Sequence, residues 1–118
     1  MIELTILNHL NDNLSGGVKA FMELPEGEDP IPCVVIEKTG SGIDNRLKNA
    51  TVTIQSYGTS LYNAASLNEE VKTIMEDALS LDGIGRVKLN SDYNFTDTEK
   101  KRYRYQAVYD IIYEDIEE

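Results

Sequence analysis

The stretch from Leu47 to Ser80 constrains this chain most, because two different hydrophobic periods meet there with little more than a glycine between them. From Leu47 to Tyr57 apolar and polar residues alternate. Leu47, Ala50, Val52 and Ile54 face inward after one irregular step, and Thr51, Thr53 and Gln55 face outward. Gly58 breaks this strand. Ser60 then serves as an N-cap for a helix expected to run to about Ser80. Leu61, Ala64, Ala65, Val71, Ile74, Met75, Ala78 and Leu79 form one apolar stripe, with Glu69, Glu70, Lys72, Glu76 and Asp77 mostly off it. Such a pair of elements buries its apolar sides most simply by laying the helix on a sheet.

The other segments fit that frame. Residues 2–13 predict a short helix, with Ile6, Leu7, Leu10 and Leu14 at helical spacing and a Ser15-Gly16-Gly17 stop. Residues 18–24 predict a strand, residues 25–32 a proline-punctuated loop, and Cys33 to Lys38 a buried strand. Thr39-Gly40-Ser41-Gly42 opens a loop expected to be flexible as far as Arg46. After Asp82-Gly83, Arg86 to Leu89 predicts a short strand, Asn90 to Glu99 a polar loop, and 101–113 a long strand before an acidic tail expected to fray. The expected fold is therefore α+β, in the order α-β-β-β-α-β-β. It is a single domain over 1–118, a mostly antiparallel sheet of about five strands covered by one long helix and a short N-terminal one.

Catalytic and metal chemistry find few residues to work with. His9 is the only histidine and is expected on the surface of the first helix; Cys33 is the only cysteine and is expected in the core. Neither a triad nor a zinc set can be assembled from them, and Gly40-Ser41-Gly42 and Gly83-Ile84-Gly85 lack the rest of a phosphate loop. Glu69-Glu70 and Glu76-Asp77 read as hydrated carboxylates. No enzyme activity, cofactor or metal is expected. Met1-Ile2-Glu3-Leu4 lacks the features of a signal peptide, and no apolar run approaches the ~20 residues of a membrane helix, so no membrane partner is expected.

Charge narrows the partners further. Twenty-one acids oppose 11 bases, a net charge of −10, which disfavours general affinity for phosphate backbones. The acids crowd residues 1–30, and Lys100, Lys101, Arg102 and Arg104 form the one dense basic run. Within it, Arg102 and Arg104 are expected on one strand face, with Tyr103 and Tyr105 on the other. Three uses fit this run: a solvated strand with a tyrosine-rich inner face, a docking edge for an acidic protein surface, or a nucleic-acid platform. Four tyrosines on one face of strand 103–113 also hint at burial against another subunit.

Taken together, these residues resemble the tail terminator (tail-completion) proteins of long-tailed, lambda-type bacteriophages and prophages. The resemblance rests on the opening helix, the strand Ile31-Pro32-Cys33-Val34-Val35-Ile36 and the block Val52-Thr53-Ile54-Gln55-Ser56-Tyr57-Gly58-Thr59-Ser60. It extends through the Leu61–Leu79 helix to the Arg/Tyr strand from Arg102 to Tyr113. It implies a structural protein that forms a ring of its own copies, expected to be a hexamer. Such a ring caps the major tail tube protein, ends its polymerisation and meets the head connector protein. DNA is implied only as passing cargo, and the location as bacterial cytoplasm during assembly and then the virion tail or neck. The interface candidates are Lys101, Arg102, Tyr103, Arg104 and Tyr105, with Ile43 and Arg46 in the 39–47 loop; 25–32 is a second docking loop. The alternatives are a head–tail connector or minor capsid component, and a cytoplasmic non-catalytic binding module.

Overall fold

The computed structural model describes residues 1–25, 30–44 and 46–114. Its elements are α1 (Ile2–Asn13), β1 (Lys19–Phe21), β2 (Cys33–Asp44), β3 (Leu47–Tyr57), α2 (Leu61–Glu76), β4 (Ile84–Asn94) and β5 (Arg104–Tyr113). A 3-10 turn, Asp77–Ser80, extends α2. The sheet order is β1-β2-β3-β5-β4, antiparallel throughout except where β1 runs parallel to β2. The α+β fold and the order of its elements are those expected from the sequence.

Both helices pack on one face of the sheet, where Val34, Ile36, Ala50, Val52, Ile54, Ala107, Tyr109 and Ile111 meet Ile6, Leu10, Val71 and Met75. Each large aliphatic side chain buried there contributes roughly 2 kcal/mol. α1 ends where Gly16 and Gly17 take φ 67 and 76, values a side chain would oppose. The hydroxyl of Ser60 accepts from the Asn63 amide at 3.1 Å, the cap that starts α2. Gly58 serves a different purpose: a Cβ there would lie 2.3 Å from the Ala64 nitrogen, so its absence lets α2 begin directly against the strand end.

Several expectations need correction. The segment 39–44, expected as a flexible loop, is the outer half of β2, with Gly40 opposite Thr51 and Asp44 opposite Leu47. Pairing with β3 overrides the weak strand preference of its glycines, and the irregularity between Lys38 and Gly40 takes up the mismatch. Likewise Asn90–Asn94 extends β4 along β5, where a loop is expected. β1 is only three residues, so Met22 leaves the sheet and is exposed. Leu61, Leu79 and Leu47, expected inside, are exposed, while Leu67 and Asn68 are buried. The tighter 3-10 turn rotates Leu79 off the α2 stripe.

His9 is not on the surface. It is buried between the helices, where its Nε2 donates to the Ile74 carbonyl at 2.9 Å in the last turn of α2. Glu70 is not simply hydrated: it accepts from the Ser15 amide at 2.8 Å and from the Ser15 hydroxyl, tying the end of α1 to α2. Cys33 is fully buried, as expected. The loop at 26–29, Asn45 and the tail at 115–118, about which the sequence also raises expectations, lie outside the described residues.

Candidate assembly surfaces

The sheet face opposite the helices carries a polar network in place of a second apolar layer. Alternation on β3 and β5 sends Gln55, Tyr57, Arg104 and Gln106 to this side, and β4 adds Tyr93. Gln106 donates to the Tyr93 hydroxyl, and Gln55 Nε2 donates to Gln106 Oε1 at 2.9 Å. The Tyr57 hydroxyl donates to Gln55 Oε1 at 3.1 Å and accepts from Arg104 Nη1 at 3.2 Å. Thr51 and Asn90 both donate to Asp110. Bonds chained in this way polarise one another and hold side chains from three strands in one arrangement. Neither the amides of this network nor Tyr57, Tyr93 and Phe95 stand out in the sequence, because the pairing register of β3 with β5 brings them together.

The seven interface candidates do not form one cluster. Arg104 pairs with Tyr57, at one end of β3, and Ile43 and Arg46 lie at or beside the β2–β3 turn at its other end. At ~3.3 Å per residue, the ends are roughly 33 Å apart. Ile43 is the most exposed aliphatic residue of the turn end at 73 %, and Arg46 takes φ 70 where the chain reverses. At the other end, Lys101 and Arg102 are exposed in the β4–β5 connection, with Lys101 at φ 50 and Arg102 bridged to Asp97.

The interleaved basic and aromatic run therefore splits by role. Arg104 is committed to the fold: its guanidinium stands 4.3 Å from the Phe95 ring centroid and bonds the Phe95 carbonyl and the Tyr57 hydroxyl. Tyr103 and Tyr105 are half-buried. Tyr109 and Tyr113, further along the same strand face, lie under the protein's own helical layer, so that face is not left for another subunit. Only Lys101 and Arg102 of the run remain available, and Lys100 joins them.

Elsewhere Asp92 gathers Lys72 at 3.3 Å and Asn68 at 3.2 Å. Lys72 titrates above its ordinary value, chiefly through its hydrogen bond to Glu69. Beside it, burial pushes the Tyr109 hydroxyl up to about 12, with Asp92, Glu76 and Glu69 adding to the shift. A cleft of about 270 Å³ opens here, lined by Glu69, Lys72, Glu76, Val87, Leu89 and Tyr109 among others. Among the described residues no three His, Cys, Asp or Glu side chains converge as a metal site. Nor is any described helix long and apolar enough to cross a membrane. Comparison with protein-family models and with curated proteins finds no match to this chain.

Proposed function

We propose that this chain is a structural assembly protein that joins copies of itself into a ring, caps a phage or prophage tail tube and presents the other side of the ring to the head connector. The observation that carries the reading is the separation of its exposed features onto two unlike ends of one rigid sheet. A protomer that closes a ring by head-to-tail contacts needs two different patches, since one self-complementary patch makes a dimer. The hydrogen-bonded network at the Tyr57 end of the sheet holds that end in a fixed shape before any partner arrives. The net charge of −10 suits a channel through which DNA passes without adhering. The sequence resemblance to tail terminators supplies the partner.

The test is to polymerise the cognate tube protein with and without this chain and to measure tube lengths by electron microscopy. Shorter tubes, each closed by a ring at one end, are expected. Unchanged lengths at saturating protein reject the reading and leave the connector or the non-catalytic binding module as the better one.

A further inference from the structure

Three consecutive cations that have no carboxylate partner among the described residues are unusual in a chain with so large an acidic excess. Lys100, Lys101 and Arg102 line a cavity of about 550 Å³ together with Leu24, Pro25 and Gly58. Among the described residues, no ion pair engages any of the three. Asp97, in the same connection, accepts from the Glu99 and Lys100 amides and so shapes the turn. The walls are half apolar and the rim is cationic, which matches a short acidic segment carrying an aliphatic side chain.

The sequence contains such a segment at the far end of the molecule. Glu114-Asp115-Ile116-Glu117-Glu118 follows β5 directly, four acids around one isoleucine. β5 begins at Arg104, beside the cavity, and ends at Tyr113, where the Glu114 amide donates to the Gly83 carbonyl at 2.8 Å. Over that strand the ends are roughly 30 Å apart. Four residues beyond Glu114 reach at most about 14 Å. No copy can place this segment in its own cavity.

We infer that the Lys100–Arg102 cavity receives the acidic segment Glu114–Glu118 of a second copy of this chain. The inference rests on the ring reading and gives it a contact: donor and acceptor sit at opposite ends of every copy, so each joins the next in the same sense. Pro25 and Pro30 also line this cavity, so the acids between them in sequence, Glu26, Glu28 and Asp29, are the competing ligand that the test must separate from the C-terminal segment.

A charge-reversal exchange tests it in the full chain. One variant carries Lys101→Glu and Arg102→Glu; the other carries Glu114→Lys, Asp115→Lys, Glu117→Lys and Glu118→Lys. Sedimentation velocity at low salt should show each variant failing to associate alone and an equal mixture regaining association, since each variant's cavity then meets the other's tail. Lys101→Gly serves as the gentle control. Glycine accepts the left-handed backbone at φ 50, so the fold is kept while one charge is lost, and association should weaken about threefold. A mixture that stays as dissociated as its parts, with both variants folded by circular dichroism, overturns the contact.

A second arm uses the unmodified protein and a synthetic peptide of residues 110–118. Amide shifts on binding should centre on Lys100 to Tyr103 and on Gly58 and Thr59, and should fade with salt. A peptide of residues 23–31 binding more tightly there, or a single-stranded oligonucleotide doing so, overturns the assignment in favour of that ligand. Tubes that are still capped while the tail variant associates normally leave the ring reading standing and this contact rejected.

Discussion

Ile54 and Gln55 are neighbours on β3, yet they belong to surfaces built on opposite principles. Ile54 is fully buried among aliphatic and helical neighbours on the covered face. Gln55 sits half-buried on the open face, and its worth lies in two hydrogen bonds, one given to Gln106 and one accepted from Tyr57. The covered face supplies stability through area removed from water, which is insensitive to direction. The open face supplies fixed shape, because hydrogen bonds are directional and each amide has a definite partner. A protein that must first fold alone and then dock gains from keeping the two on different sides of one sheet. Changes on the first face should unfold it, and changes on the second should leave it folded but less ordered where it binds.

The largest expected effect is on the covered face. Ile54→Ala should cost about 3 kcal/mol in denaturant unfolding, from lost burial and the cavity left behind. Gln55→Ala should cost about 1 kcal/mol or less, since a half-exposed amide can be replaced by water. Equal losses at the two neighbours would dissolve the distinction. Next comes the junction between sheet and helix. Gly58→Ala places a methyl 2.3 Å from the Ala64 nitrogen and 2.8 Å from its Cα. Backbone cannot rotate aside as a side chain can, so α2 must shift, at about 2–3 kcal/mol. An alanine variant as stable as the parent would mean that the helix start can move freely.

A smaller effect sharpens the open face. Gln55 and Gln106 lie opposite each other in the β3–β5 register and bond at 2.9 Å. A double-mutant cycle to alanine should return about 1 kcal/mol of coupling, measured by urea unfolding. Coupling indistinguishable from zero would reduce the network to solvated side chains that happen to be close.

How far the sequence could anticipate these surfaces depended on whether the signal was local. α1 and β3 are legible to the residue because each carries its own periodicity, and Ser60 announces the start of α2. Even the burial of His9 has a local trace, since Ile2, Ile6, His9 and Leu10 share one helical stripe. The outer halves of β2 and β4 have no such trace. Gly40, Gly42, Ser91 and Asn94 do not favour strands, and they pair because a strongly patterned neighbour offers them a ladder. The assembly surfaces depend on register in the same way. Lys101 and Ile43 are both visible as exposed candidates, but their placement at opposite ends follows from β3 pairing with β2 on one side and β5 on the other.

The smallest effect at neutral pH comes from Tyr109, and it tests the covered face by titration. Tyr109 lies under the helical layer, and burial first, then the charges of Asp92, Glu76 and Glu69, pushes its hydroxyl up to about 12. An unfolded tyrosine titrates near ~10. Below that value both states hold the proton, and this residue's contribution to stability is fully present. As pH rises through the window from the unfolded value to the folded one, the unfolded chain loses a proton that the folded chain keeps, so folding becomes progressively less favourable. Tyr109→Phe removes the titration. Since the hydroxyl takes no hydrogen bond among the described residues, the variant should match the parent at pH 7 and decline less steeply above pH ~10. Tyr93→Phe provides the matching change on the open face: it breaks the bond from Gln106 but leaves Tyr109, and hence the alkaline decline, in place. Unfolding midpoints measured at neutral and alkaline pH for all three proteins decide the matter. A decline of equal slope in parent and Tyr109→Phe would place the alkaline sensitivity elsewhere and remove Tyr109 as a marker of the covered face.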